Sequence, residues 1–208
     1  GETLLPEAEN IRVLAGRIPV EDITLMLSQT PFDLVIDATH PYAVSITESI
    51  FAACRDTDTE YLRLLRRASS PEAGVVCVES AAAAAAFLEH TQGNILLTTG
   101  SKELAAYSGL SDFARRVYAR VLPMEASLEA CRRAGLEAAH IIAMQGPFSE
   151  EMDLATLRFS SAAWMVTKDG GENGGFPAKA AAAQRAGAGL VVIGRPPQRE
   201  GLPFEEVL

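Results

Sequence analysis

The 208-residue chain carries 27 acidic against 18 basic residues, a formal net charge of −9, and is 48% hydrophobic but only 6% aromatic. A chain of this length and composition buries most of its surface on folding and builds one large or two small domains, which excludes disorder and a repeat array. The acidic balance without any Lys/Arg run opposes nucleic acid, and no apolar stretch approaches the roughly 20 residues of a membrane span.

Along the chain, short β-branched and apolar runs alternate with helical patterns, the signature of parallel strands joined by crossover helices. A strand is expected over 11–15, a helix over 20–28, a strand over 34–37, a helix over 44–55 and strands over 61–65 and 75–78. A helix over 80–90 then leads to a strand over 95–98, a helix over 102–110 and a strand over 117–121. Helices over 127–134, 150–157 and 178–186 alternate with strands over 141–144, 164–167 and 190–194. The class is α/β, doubly wound, and the strands are too many for one small domain. The runs LVID and LVVIG suit strands covered on both faces. The Ala-rich run from Ala81 to Ala86 is read as a rigid connector between two sheets, with a boundary near Gly93 dividing domains 1–92 and 93–208. Pro196 and Pro197 end the last strand and leave an extended polar tail.

Cys54, Cys77 and Cys131 stand far apart, without a CxxC pair, and read as small buried hydrophobes. Isolated cysteines and the lack of a signal peptide or lipidation motif favour a cytoplasmic protein, expected to be a monomer or a weak homo-oligomer. In open parallel sheets, ligands bind beyond the carboxyl ends of the strands, where loops and helix N-termini converge. ATHPYA, TGSK, QGPF and KDGGENGGFPAK all follow predicted strands, so four polar, Gly- or Pro-bearing loops point to one shared cleft. Neither a GxGxxG nor a GxxxxGK[ST] motif occurs, so the residues alone stop at an α/β protein with a cleft.

The wording of the loops is more specific than their composition. DLVIDATHPYA resembles the motif of the precorrin-6A reductase family, including its cobalt counterparts. YLRLLR, LLTTGSKEL, RVLP, IIAMQGPFSEEMD, VTKDGGENGGFPAKAAAA and VVIGRPP follow in the family's order, from about residue 33 to residue 197. The resemblance implies two Rossmann-like parallel-sheet domains facing a cleft. NADPH or NADH would be held mainly by the first, and a tetrapyrrole, precorrin-6A or its cobalt form, would lie between them. It also implies hydride transfer to a conjugated ring carbon with proton uptake at its neighbour, chemistry that the cofactor supplies and that needs no metal. Members of the family open with a strand, a GGT-type turn and a helix containing Glu-Gly-Arg. This sequence opens at Gly1 with GETLLP, so the first domain is expected to be N-terminally incomplete by roughly 30 to 35 residues on usual crossover lengths, and to bind the cofactor poorly.

Within that frame His40 is the candidate catalytic residue, contacting the nicotinamide or supplying a proton; the other reading is a turn histidine bonded to backbone. Asp37 is read as a buried carboxylate anchoring the turn, and Thr39, Pro41 and Tyr42 as part of the cofactor wall. Gly16 and Arg17 are expected on the adenine side of the cofactor. Arg66, Lys102, Lys168 and Lys179 would meet the acetate and propionate arms of a tetrapyrrole, and Ser101 lies beside Lys102. Gln145 and Gly146 would offer backbone donors to a ligand carboxylate, and Gly174 and Gly175 belong to a glycine-dense loop suited to close approach or a mobile lid. The competing readings are a non-catalytic tetrapyrrole-binding domain, and a methyltransferase or isomerase acting on the same class of tetrapyrrole.

Overall fold

A computed structural model describes residues 9–14, 18–65, 74–171 and 175–207. In chain order the elements are α1 (Val20–Gln29), β1 (Leu34–Asp37), α2 (Val44–Asp56), β2 (Glu60–Leu65), β3 (Val75–Val78), α3 (Ala81–Glu89), β4 (Asn94–Leu97), α4 (Phe113–Arg116), β5 (Val117–Val121) and α5 (Glu125–Arg133). They continue with β6 (Ile141–Ala143), α6 (Glu150–Phe159), β7 (Ala162–Lys168), α7 (Phe176–Ala186), β8 (Gly189–Ile193), β9 (Leu202–Pro203) and α8 (Phe204–Val207). All strand pairs are parallel, and the chain divides into two compact units, 1–66 with 196–208, and 67–195.

The first unit holds a three-stranded sheet in the order β1-β2-β9. Ile23 and Leu27, one helical turn apart on α1, are buried with Ala53 and Cys54 of α2, and Val35, Ile46, Ile50 and Tyr61 close the cluster. The register sets Asp37 opposite Arg63, the pairing on which the loop after β1 is built. Three expectations are corrected here. Residues 11–14 form no strand: Ile11, Val13 and Leu14 are exposed, since apolar content without a ladder partner does not make a strand. The run LVID is not covered on both faces, for Leu34 and Ile36 are exposed while Asp37 is buried. The tail is not merely extended, because β9 pairs with β2 through Leu64 and Leu65.

The second unit is a six-stranded sheet in the order β3-β8-β7-β4-β5-β6. Leu96, Met165, Leu190 and Val192 pack with Leu154 and Leu157 of α6 and Phe176, Ala182 and Ala183 of α7. Their neighbours Ile95, Leu97, Val166, Val191 and Ile193 are also buried, so LVVI is covered on both faces as expected. The boundary at Gly93 does not hold: β3 pairs with β8, which puts β3 and α3 in the second unit and the division after β2. The Ala-rich α3, capped by the Ser80 hydroxyl accepting from the Ala83 N–H at 3.1 Å, therefore crosses over within one sheet and connects no two sheets. The helix expected over 102–110 is a 3₁₀ turn over Leu104–Tyr107. Leu104, Tyr107 and Leu110 are its buried positions, a spacing of three that suits the tighter turn better than an α-helix. Cys54 and Cys131 are buried, whereas Cys77 is exposed. No helix among the described residues is long and apolar enough to cross a membrane.

Candidate functional site

The turn after β1 is built on a buried ion pair. Asp37 and Arg63, 1% and 2% exposed, meet at 2.8 Å between Oδ1 and Nη1. Asp37 Oδ1 also accepts from the Thr39 N–H at 3.0 Å, an Asx turn, and Oδ2 accepts from the Tyr61 hydroxyl at 2.9 Å. Burial pushes the Asp37 carboxyl up, but hydrogen bonds from Thr39 and Tyr61 and the charge of Arg63 outweigh it and hold the group below its ordinary value. Burial, reinforced by the bond to Asp37, raises the Tyr61 phenol. Arg63 donates further to the carbonyls of Asp37 (3.2 Å) and Thr39 (3.1 Å), to the Thr39 hydroxyl (2.9 Å) and to Gln198 Oε1 (3.0 Å). Gln198 Nε2 in turn donates to the Pro41 carbonyl at 2.9 Å.

Above this support, the Ala43 N–H donates to the His40 carbonyl at 2.8 Å and closes the turn. The Tyr42 N–H points at His40 Nδ1 at 3.4 Å, an arrangement that leaves the proton of a neutral imidazole on Nε2. His40 is exposed, and its ring stacks on that of Tyr42 with centroids 5.5 Å apart. Two stacked rings thus stand on a rigid base, with His40 exposed and Tyr42 half-buried. His40 is therefore bonded within its own turn and exposed at its surface.

In the second unit, β4 and β7 are neighbours whose outgoing connections lead opposite ways, to β5 and to β8, which makes their carboxyl ends a topological switch point. Thr98 ties the two strands, its N–H and hydroxyl donating to the Val166 carbonyl at 2.9 and 2.8 Å. Gly100 follows at φ +80°, a left-handed position that favours glycine. Lys102 is exposed, the Ser101 hydroxyl donates to that of Ser127 at 3.3 Å, and Lys168 bridges to Glu103 at 2.8 Å. Asp169 accepts from Arg195 Nε at 3.1 Å and from the Gly171 N–H at 3.1 Å, joining the loops after β7 and β8.

Gly175, at φ +70°, opens α7, and Lys179 one turn later folds back so that its Nζ lies 3.8 Å from where a side chain on Gly175 would begin. Desolvation lowers the Lys179 pKa, the charge of Asp153 opposes this and that of Arg120 adds to it. Arg120 and Asp153 form a second buried ion pair, and the Arg120 guanidinium lies 4.0 Å over the Phe148 ring. Phe148 follows the Gly146-Pro147 bond, which is cis, and Gln145 is exposed.

Ser101, Lys102, Gln145, Gly146, Lys168 and Gly175 therefore all lie at the carboxyl edge of one sheet, with Lys179 beneath it, while Thr39, His40, Pro41 and Tyr42 form the turn of the other. Gly16, Arg17, Arg66 and Gly174 lie outside the described residues. Sequence reasoning missed Arg63, Gln198, Glu103, Asp169, Arg195 and the Arg120–Asp153 pair. The usable signal was a charge inside an apolar strand, as in YLRLL and VYARV, since a buried Arg requires a carboxylate partner.

The family model described as precorrin-6x reductase CbiJ/CobK matches residues 1–208. The cobalt-precorrin-6A reductase of Methanothermobacter thermautotrophicus is 36% identical over 201 residues, which cover 94% of this chain and 65% of that protein. The cobalt-precorrin-6A reductase of Priestia megaterium is 34% identical over 206 residues, covering 95% of this chain and 80% of that one. Among solved structures, CobK precorrin-6A reductase superimposes with a TM-score of 0.69 at 27% identity, over 88% of this chain and 73% of that one.

Proposed function

This chain belongs to the precorrin-6x reductase CbiJ/CobK family, the precorrin-6A reductases of cobalamin biosynthesis, and on that premise we propose that it works with NADPH or NADH on precorrin-6A or its cobalt form. When bound, the reduced nicotinamide supplies the hydride. The observation that carries the reading is the turn after β1, where an exposed imidazole stacks with a half-buried phenol above a buried Asp37–Arg63 pair. Thr39, His40, Pro41 and Tyr42 hold the nicotinamide end, with the rings of His40 and Tyr42 as its wall and His40 contacting the nicotinamide or supplying a proton. Such rigid support keeps reacting atoms aligned, a part that falls to the protein when a cofactor brings the chemistry.

The first unit, Rossmann-like in its parallel order, takes the cofactor, and the second takes the macrocycle. Lys102 and Lys168 at the switch point and Lys179 at the head of α7 meet its carboxylate arms, while Gln145, Gly146 and Gly175 approach it with backbone groups. Glu103, paired with Lys168 at 2.8 Å, holds the ammonium in one direction at this edge.

The test is anaerobic turnover of precorrin-6A and its cobalt form with each nicotinamide cofactor. Oxidation of one cofactor in step with loss of one macrocycle double bond is the expected result. Binding without turnover, a demand for S-adenosylmethionine, or conversion without any cosubstrate would overturn the proposal in favour of a binding domain, a methyltransferase or an isomerase respectively.

A further inference from the structure

The chain re-enters the first unit at Pro196, and its first side chain to reach the turn after β1 is Gln198. The amide uses both ends: Oε1 accepts from Arg63 Nη2 at 3.0 Å, and Nε2 donates to the carbonyls of Pro41 at 2.9 Å and Pro196 at 3.0 Å. Arg63 carries the other half of the hold, through the Thr39 carbonyl and hydroxyl. Thr39 and Pro41 flank His40, so the residue proposed to face the cofactor is held from both sides by one arginine and one glutamine. Neither of the two belongs to β1, α2 or the turn itself.

The tail does not depend on Gln198 for its place. Arg199 pairs with Glu48 at 2.9 Å and lies 3.7 Å over the Phe51 ring, while Leu202 and Pro203 pair with β2. Gly201 passes so close to the Arg63 backbone that any side chain there would collide with it. Loss of the Gln198 amide therefore withdraws its own hold on the turn and leaves the tail seated.

We propose that Gln198 is a positioning residue of the reaction: it latches the Thr39-His40-Pro41 turn, directly through the Pro41 carbonyl and indirectly through Arg63, and so fixes the direction in which His40 faces. This rests on the role proposed above for the turn. Gln198→Met keeps the length and removes all three hydrogen bonds; Gln198→Glu keeps the acceptor for Arg63 and removes the donor to Pro41 and Pro196.

Two measurements on the full chain test it: amide hydrogen exchange of residues 38–43, and steady-state turnover with precorrin-6A and NADPH. Gln198→Met is expected to speed exchange of the turn and lower kcat about tenfold, with KM for the macrocycle within about threefold, as a loss of alignment does. Gln198→Glu should fall between Met and the parent. In the double variant with His40→Ala, kcat should be no lower than in His40→Ala alone, because both changes act through one residue. Unchanged exchange, or kcat losses that multiply, would overturn the latch. Faster exchange with unchanged turnover in both single variants would overturn the role of the turn, and with it any positioning effect of Gln198.

Discussion

Asp37 and Arg63 face each other in register on adjacent strands, and both are sealed from water. Removing one member leaves the other as an uncompensated buried charge, so Arg63→Met is expected to cost about 3 to 5 kcal/mol in urea unfolding. The depressed Asp37 pKa fixes the sign of a pH effect. Its stabilisation is fully present above the unfolded-state value of about 3.9 and is lost as pH falls through the lower native value. The urea midpoint of the parent should therefore fall below about pH 4, and the fall should be shallower in Asp37→Asn; equal slopes would contradict this. Lys179 shifts stability with pH in the same direction but as a cost instead of a gain, because desolvation lowers its native pKa beneath 10.5. Its charged form costs stability at neutral pH, a cost relieved as pH rises through the native value. Lys179→Met should raise the melting temperature while weakening macrocycle binding by about 1 to 3 kcal/mol. A variant that binds as the parent does would remove Lys179 from the substrate site. The anchoring role of Asp37 was legible, because an Asp at a strand's end before Thr-His-Pro offers an Asx turn. The partnership with Arg63 was not, since it depends on a register that no local pattern encodes.

At the scale of elements, the strands of the six-stranded sheet and the helices α2, α6 and α7 could be read from apolar runs and periodicity to within a few residues. The pattern failed where an element is made by its partner: β9 is two residues long and exists through its pairing with β2. The same close approach makes a prediction. Gly201→Ala would set a side chain against the Arg63 carbonyl and Cβ, so the tail must shift, at about 1 to 3 kcal/mol. Faster protease cleavage within 196–203 is the expected outcome, and parent-like resistance would contradict it.

For the whole molecule, the α/β class and the family were legible because four loop sequences, each following a strand, carry the resemblance in order. The division into units was not, because β3 joins β8 across most of the second unit's sequence, and parallel pairing leaves no local mark. On the proposed function, this fold delivers hydride from a nicotinamide cofactor to the tetrapyrrole. The most direct measurement is an anaerobic single turnover with cofactor deuterated at its transferable position, followed by mass spectrometry of the macrocycle. One deuterium per product, with the second hydrogen taken from solvent, is the result expected; a reduced or altered macrocycle free of the label would contradict the account.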